Sequence, residues 1–381
     1  MSDRNPLREL RVDHVGSLLR PKSLIDAFTA FARKAIGQEK LDEAADAAIV
    51  QIVARQQSIG LPIVTDGEFR RLNWQVSFSV VEGWDQWEGA WKGFLANPSN
   101  MLEGERPLTR GKDAVETYKA PATARLSLRE SFPLREYSFL KGVAKVPAKA
   151  MLMGPDRVAQ MCDIAKSAPH YTSADDFLAD VVAIEHHMVG ELVSAGCGYI
   201  QLDEPSYTGY VDRATLGRLK SRGEDPAANL SRAIRASNAV IAGHEGNAVF
   251  GIHICRGNRA SMWHREGTYD TIAEELFSTL AFDRLLLEYD TERAGGFEPL
   301  RFVPKGRMVV LGLITTKSAT LETVDGLRRR IDDASRFIDA EQLALSPQCG
   351  FASGIAGNVL TEDDQWRKLD VMLETARRVW G

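Results

Sequence analysis

Residues 248–255 read AVFGIHIC, an aliphatic run that closes with a histidine and a cysteine. Its composition predicts a strand that is buried on both faces, as strands of parallel sheets are. Because side chains two positions apart on a strand point to the same side, His253 and Cys255 are expected to face one centre. This stretch therefore predicts a parallel α/β fold with a chemical site at a strand end.

Seven further segments of this kind alternate with helical patterns along the chain. With 248–255 included, we predict strands at 11–16, 62–66, 146–153, 198–203, 248–255, 284–289, 307–314 and 342–349. Apolar residues that repeat every three or four positions predict helices at 39–59, 174–195, 226–243, 269–280, 320–338 and 362–379. Eight alternations favour an α/β fold closed into a (β/α)8 TIM barrel over the competing doubly wound open sheet.

The stretch from about residue 75 to residue 145 interrupts this alternation. It contains three tryptophans, a loop rich in Pro, Gly and Asn, and two alternating segments at 116–128 and 135–141. We predict a hairpin-containing insertion after the second strand, so that residues 1–381 form a single TIM-barrel domain. Trp84, Trp87 and Trp91 either pack together to anchor the insertion or form a wall on which a ligand stacks.

The charge pattern excludes some classes of partner. The chain has 381 residues, with 47 Lys and Arg against 52 Asp and Glu. The two signs are interspersed and form no basic stripe, so we expect no nucleic-acid partner. The N-terminus is polar and no apolar run is long enough to span a bilayer, so we expect no membrane association and a cytoplasmic location. The four cysteines are too few for a disulfide scaffold and fit a reducing compartment.

Four side chains of the kinds that bind zinc lie at the ends of predicted strands, where barrels build their active sites. They are His253, Cys255, Glu288 and Cys349. Alone, Cys255 and Cys349 could be small buried hydrophobes and His253 a satisfied core histidine, but four suitable ligands at neighbouring strand ends favour a shared metal ion. Structural zinc sites typically use paired C-x2-C knuckles, which this sequence lacks, so we predict a catalytic zinc ion (Zn2+).

Other strand ends carry groups that suit an amino acid. Glu68, Asp203 and Glu204 could hold an α-ammonium group, although a helix cap would explain one of the two adjacent acids. Gly16 and Ser17 could present backbone N–H groups to a carboxylate, or could simply form a tight turn. An amino-acid substrate would then find a partner for each of its charges.

Seven motifs follow one another along nearly the whole chain: HVGSLLRP, TDGEFRR, IQLDEP, HICRGN, LLEYD, LGLITTKS and LSPQCGF. Together they resemble the catalytic half of cobalamin-independent methionine synthase, and particularly the short, single-barrel relatives of that enzyme. The resemblance implies a (β/α)8 barrel with zinc bound by His253, Cys255, Glu288 and Cys349. It also implies that homocysteine, the small-molecule thiol, is held by Gly16, Ser17, Glu68 and Asp203.

The sequence departs from the family pattern in three ways. It lacks the N-terminal half of the full-length enzyme, and the segment KAMLMGPDRV has no tryptophan where the family stacks its pterin. Lys317 stands where the family places a histidine proposed to donate a proton. The methyl donor is therefore open, and we expect either a small molecule or a corrinoid protein.

Zinc coordination deprotonates a thiol, which then attacks an alkyl carbon while the leaving group needs a proton. We expect that proton from Lys317, or from water held by Asp203 or Glu204. The favoured function is methylation of homocysteine to methionine; the alternative is alkyl or epoxide transfer to another thiol such as coenzyme M. Two sulfur ligands without a second histidine disfavour a zinc hydrolase, and the density of polar groups disfavours a non-catalytic binding protein.

Overall fold

The computed structural model describes residues 5–84 and 119–381. A short antiparallel pair, β1 (Val81–Glu82) and β2 (Ser127–Leu128), precedes a sheet of six parallel strands that pair in chain order. The six are β3 (Lys149–Met153), β4 (Tyr199–Asp203), β5 (Val249–Ile254), β6 (Arg284–Glu288), β7 (Met308–Ile314) and β8 (Leu343–Pro347). These strands confirm the α/β fold and six of the predicted strands.

The two remaining predicted strands, 11–16 and 62–66, form single parallel bridges instead of regular strands. Val12 bridges to Leu345 of β8, and Val64 bridges to Ala148 just before β3. The Lys149 amide donates to the Val64 carbonyl over 3.0 Å. The two segments therefore lie along opposite edges of the six-stranded sheet.

Ten α-helices lie within the described residues. They are α1 (Lys22–Ala32), α2 (Gln38–Ser58), α3 (Phe132–Val143), α4 (Pro155–Gln160), α5 (Ala174–Ser194), α6 (Arg213–Ser221), α7 (Pro226–Ile241), α8 (Ala273–Thr279), α9 (Val324–Ala334) and α10 (Glu362–Trp380). Short 3-10 helices span Pro6–Glu9, Trp74–Phe78, Ile164–Lys166, Pro205–Tyr210, Glu292–Ala294, Glu298–Phe302 and Ala340–Gln342. All six predicted helices are present, and none within residues 5–84 and 119–381 is long and apolar enough to cross a membrane.

The predicted hairpin is wrong, because residues 135–141 belong to α3. Ser131 caps this helix by accepting a hydrogen bond from the Leu134 amide, and a proline occupies its first turn. Its buried face includes Phe132, Glu136 and Leu140, which are spaced four residues apart as a helix requires. Residues 116–118 of the other predicted hairpin segment lie outside the described part of the chain.

Trp84 is buried among other aromatic side chains. Its indole N–H donates to the Ala120 carbonyl over 2.9 Å, and its ring meets Phe78 and Phe177 edge to face. This geometry supports a packing role for Trp84. Trp87 and Trp91 lie outside the described residues.

The two faces of the parallel sheet differ in chemistry, because successive side chains of a strand point to opposite sides. On the helix side, the large apolar core includes Leu202, Ile252 and Leu287. The next residue on each of these strands is Asp203, His253 or Glu288, and all three are buried. The sheet therefore places one polar residue from each of β4, β5 and β6 on the face opposite the helices, near the carboxyl ends of the strands.

Candidate active site

Three of the four predicted metal ligands converge. Ligand atoms of His253, Cys255 and Cys349 all lie within 4.8 Å of one another, and all three residues are buried. β5 carries His253 and ends one residue before Cys255, while Cys349 follows the end of β8. β5 and β8, which are far apart in sequence, thus place one imidazole and two sulfurs close together.

The chemistry of this group fits a soft metal ion. Both ring nitrogens of His253 are buried without a hydrogen-bond partner, which is costly for a polar side chain that serves only packing. The sulfurs of Cys255 and Cys349 are free thiols. A hydrogen bond with Cys255 lowers the pKa of the Cys349 thiol well below its usual range. One imidazole and two sulfurs are the donors that zinc prefers.

Glu288 is close to this group but lies outside the set of three. Its carboxylate accepts a hydrogen bond of 2.6 Å from the Arg256 amide and also contacts the Arg293 guanidinium. Burial alone would raise the pKa of Glu288, but Lys317, Arg256 and Arg293 lower it to about 2. The structure therefore holds Glu288 as a carboxylate, and its charge helps to raise the pKa of His253.

Lys317 is a buried cation beside Glu288. Its Nζ lies 3.7 Å from Glu288 Oε1 and 4.0 Å from Asp290 Oδ2, and it has no hydrogen-bond partner. The residue follows β7, so it approaches from the strand that neighbours both β6 and β8. A buried ammonium at this position is a suitable donor of a proton to a nearby group.

The adjacent acids Asp203 and Glu204 have different surroundings. Asp203 is the register partner of His253, and its Oδ1 accepts a hydrogen bond of 2.7 Å from Gln201. Burial raises the pKa of Asp203 to about 6. Its second carboxylate oxygen is thus available beside the metal-ligand group.

The Glu204 carboxylate is occupied by backbone amides at two helix starts. Oε2 accepts hydrogen bonds from the amides of Asp156 and Arg157 in the first turn of α4, at 3.0 and 3.3 Å. Oε1 accepts from the Ser206 amide at 3.3 Å, which caps the 3-10 helix Pro205–Tyr210. The capping interpretation therefore applies to Glu204, and this geometry gives it no free oxygen for acid catalysis.

Glu68 occupies a strained position in the loop after residue 66. Its φ of 61° lies in the left-handed region, which costs a residue with a side chain about 1 kcal/mol. Hydrogen bonds hold it there, from its amide to Asp66 Oδ1 at 2.9 Å and from Arg20 to its carbonyl at 2.8 Å. Burial raises the pKa of Glu68 to about 8, and its Oε2 has no hydrogen-bond partner.

The loop that contains Gly16 and Ser17 can only be built with glycine at position 16. The φ of Gly16 is 142°, and an added Cβ would come within 2.8 Å of the Met151 methyl group. Both residues are buried, and the Ser17 carbonyl accepts a hydrogen bond of 2.9 Å from the Phe351 amide. This contact ties the loop to the segment just after Cys349.

Two charged residues in contact with this site were not predicted from the sequence. Arg71 donates a hydrogen bond to Glu68, and Glu136 pairs with Arg71 from α3. Arg71 follows Glu68 by three residues in the motif TDGEFRR, which is the only local signal. Glu136 lies in the segment that was predicted to be a strand, so nothing in its neighbourhood pointed to the site.

Comparison with known proteins identifies the family. Residues 114–377 match the family model described as "Cobalamin-independent synthase, Catalytic domain". The chain belongs to this family. The resemblance read from the seven motifs is confirmed, and membership makes the protein a methyltransferase-type enzyme similar to cobalamin-independent methionine synthase.

Relatives of this chain match nearly its whole length. The uncharacterized protein YxjH of Bacillus subtilis (strain 168) is 34% identical over 378 residues, covering 97% of this chain and 94% of the relative. The methionine synthase of Pyrococcus abyssi (strain GE5 / Orsay) is 24% identical, covering 88% and 84%.

Solved structures show the same architecture. A Listeria monocytogenes structure assigned as a vitamin-B12 independent methionine synthase superposes with a TM-score of 0.74 at 28% identity, covering 98% of both chains. A B12-independent methionine synthase from Shewanella sp. W3-18-1, in complex with selenomethionine, superposes with a TM-score of 0.71 at 21% identity and 97% coverage of both chains. At that identity, the second likeness concerns the fold alone.

Proposed function

We propose that this protein is a zinc-dependent thiol methyltransferase that converts homocysteine to methionine. The observation that carries the proposal is the position of Asp203, a buried carboxyl that accepts one hydrogen bond from Gln201, directly beside His253 of the His253–Cys255–Cys349 group. Family membership supports the reaction class, and the Pyrococcus abyssi relative is named for methionine synthesis. A metal-ligand group and an ammonium partner in neighbouring positions suit a short amino acid with a terminal thiol.

His253, Cys255 and Cys349 would hold the zinc ion, and we propose Glu288 as the fourth ligand. Zinc supplies the acidity that turns a bound thiol into a thiolate at neutral pH. Around it, the Arg256 amide and the Lys317 and Arg293 side chains keep Glu288 ionised, as a metal ligand must be. Removing these cations would favour the protonated carboxyl.

The amino-acid end of homocysteine would lie between two groups of residues. Asp203 and Glu68 are both buried and each has a carboxylate oxygen without a described partner, which favours a bound α-ammonium. Gly16 and Ser17 would offer backbone N–H groups to the α-carboxylate. Glycine at position 16 permits this approach because no side chain fits there.

Lys317 would donate the proton that the leaving group needs. Its ammonium is buried beside Glu288 without a hydrogen-bond partner, so it retains the freedom to donate. Water held by Asp203 is the alternative source. Glu204 is less suited, because both of its carboxylate oxygens cap helices.

We further propose that the chain forms one closed (β/α)8 barrel across residues 1–381, with the insertion at about 75–145. The bridges of Val12 to Leu345 and of Val64 to Ala148 would place segments 11–16 and 62–66 between β8 and β3. A hydrogen bond of 3.1 Å from the Leu18 amide to the Gly67 carbonyl joins the loops that follow them. The four free thiols support our proposal of a reducing, cytoplasmic location.

Titration calorimetry on the zinc-loaded protein with homocysteine, coenzyme M and glutathione tests the thiol. We expect homocysteine to bind tightest, because coenzyme M has no ammonium group for Asp203 and Glu68. Tighter binding of coenzyme M would instead favour alkyl or epoxide transfer to that thiol. Absence of binding by all three thiols would contradict the proposal.

The methyl donor is proposed to be a small molecule or a corrinoid protein. Methyl-folate needs a flat aromatic surface, and the segment from Lys149 to Val158 contains no tryptophan. We therefore expect methylcobalamin to support faster turnover than methyl-folate in a steady-state assay with homocysteine. Faster turnover with methyl-folate would show that another part of the chain supplies the stacking surface.

A further inference from the structure

A buried triad of charges lies beside the proposed ammonium site. Arg71 makes a forked contact with Glu136, with Nε 2.9 Å from Oε1 and Nη2 2.6 Å from Oε2. Its third nitrogen, Nη1, lies 3.2 Å from Glu68 Oε1. The side chains of Arg71 and Glu68 are 1% and 2% exposed, and that of Glu136 is 6% exposed, so water screens none of these charges effectively.

The Arg71 guanidinium therefore contacts two carboxyl groups, and its hydrogen bonds to them are unequal. Glu136 receives the two short bonds, which is the stronger geometry for an arginine and a carboxylate. Glu68 receives one longer bond, and its Oε2 receives none. The neighbouring cation Arg20 does not compensate, since it donates to the backbone carbonyls of Glu68 and Arg71.

We infer that Arg71 and Glu136 are positioning residues for the substrate: Glu136 satisfies Arg71, so that Arg71 orients the Glu68 carboxyl without pairing fully with it, and Glu68 can ionise to receive the α-ammonium of an amino-acid thiol. This inference rests on the proposed function. If Glu136 were neutral, Arg71 would pair fully with Glu68, and the substrate ammonium would compete with a cation built into the protein.

Burial raises the pKa of Glu136 to about 7 against the opposing effect of Arg71, so Glu136 is the more acidic of the two carboxyls. Burial raises the pKa of Glu68 to about 8, against the opposing effect of Arg71, and Asp203 and Glu136 raise it further while Arg20 lowers it. Glu68 thus carries a proton in the free protein near neutral pH. A bound ammonium would replace that proton, and the proton would be released to solvent.

The test compares two thiols that differ only in the amino group, L-homocysteine and 4-sulfanylbutanoate, on zinc-loaded protein. In Glu136→Gln, we expect homocysteine affinity to fall at least about tenfold and 4-sulfanylbutanoate affinity to change less than about twofold. Arg135→Gln is the matched control, because Arg135 neighbours Glu136 on α3 but forms an exposed pair with Asp42. It should leave both affinities unchanged.

Proton release gives a readout that a structural role would not move. Calorimetry at pH 7 in buffers of different ionisation enthalpy measures the protons released with each thiol, and the difference between the thiols isolates the amino group. We expect about one extra proton with homocysteine in wild type, and close to none in Glu136→Gln, where Arg71 already ionises Glu68. Arg71→Lys, which keeps the charge but loses the fork, should show the same selective loss of homocysteine affinity.

The outcomes separate this inference from the proposed function. Selective homocysteine binding in wild type with equal losses for both thiols, or no losses, in Glu136→Gln and Arg71→Lys would overturn the positioning role and leave the proposed function intact. Should Glu136→Gln fail to fold, Arg71→Lys alone decides by the same criterion. Wild-type protein that binds neither thiol would overturn both.

Discussion

Asp203 and His253 lie opposite each other in the parallel register of β4 and β5, and the amide after Asp203 donates to the His253 carbonyl over 2.9 Å. Neighbouring strands are about 4.8 Å apart, so a carboxylate and an imidazole at this register sit side by side. The sheet itself fixes their separation, because both residues belong to paired strands. A substrate that spans both groups must therefore carry its thiol and its ammonium on a short chain, as homocysteine does.

Replacing Cys349 by serine should remove most of the bound zinc while the fold remains. A hydroxyl is a poor substitute for a thiolate, whereas the large apolar core does not include Cys349. Metal analysis should find about one zinc per wild-type chain and far less in Cys349→Ser, and X-ray absorption on wild type should find about two sulfurs at roughly 2.3 Å. Cys162→Ser, at a buried thiol that contacts Ser167, is the control. A full complement of zinc in Cys349→Ser would remove this residue from the ligand set.

Asp203→Asn should weaken homocysteine binding by about 1.5–3 kcal/mol, the range of a charge-assisted hydrogen bond. The amide keeps the shape of the side chain and its contact with Gln201 but cannot pair with an ammonium. Binding of 4-sulfanylbutanoate should barely change. Equal losses for both thiols, measured by calorimetry, would assign Asp203 to the surroundings of the metal instead.

Lys317→Gln should lower kcat by about a hundredfold or more while KM for homocysteine and zinc content stay close to wild type. The reason is that the amide retains polarity at the buried position but cannot deliver a proton. Steady-state kinetics with methylcobalamin, paired with metal analysis, provide the measurement. Loss of zinc together with kcat would mean that Lys317 acts by keeping Glu288 in place, 3.7 Å away.

Glu204→Ala should destabilise the protein by about 1–2 kcal/mol, because it removes the side chain that caps α4 and the 3-10 helix Pro205–Tyr210. Urea unfolding monitored by circular dichroism measures the change. Turnover at saturating substrate should remain near that of wild type. Unchanged stability with abolished turnover would restore Glu204 as a candidate acid.

Glu68→Gln should stabilise the protein increasingly as the pH rises from about 5 to about 8. The folded state raises the pKa of Glu68 from 4.5 to about 8, mainly through burial, so it binds a proton that the unfolded chain has lost. The stability that this protonation contributes is present below pH 4.5 and is lost as the pH rises through 8. Urea midpoints at three pH values measure the trend, with Glu39→Gln at an exposed site as the control. A difference independent of pH would contradict the shifted pKa.

Much of the sheet was predictable from local sequence. β5 and its five parallel neighbours are runs of aliphatic residues with buried faces on both sides, and this composition is itself the signal of a parallel strand. The clustering of His253 with Cys255 likewise follows from the two-residue period of a strand. Cys349 was assigned to the same site from the resemblance of its motif and from its position at the end of a predicted strand. The structure places its sulfur close to His253 and Cys255.

The α/β class, the six parallel strands and the chemical type of the metal-ligand group were predictable without a structure, because each is encoded in short-range composition and periodicity. The helix over residues 135–141 depends on tertiary packing. A seven-residue segment of mixed character fits either the strand period or the helix period, and the packing of Phe132 and Leu140 selects the helix. The tertiary structure also determines that Glu204 caps two helices, whereas Asp203 accepts one hydrogen bond from Gln201. The Glu136–Arg71–Glu68 triad depends most on tertiary structure. Glu136 and Arg71 are 65 residues apart in sequence, and their pairing requires α3 to pack against the loop after residue 66. No local pattern carries that information, since the energy of a buried ion pair depends on where the fold places its partners.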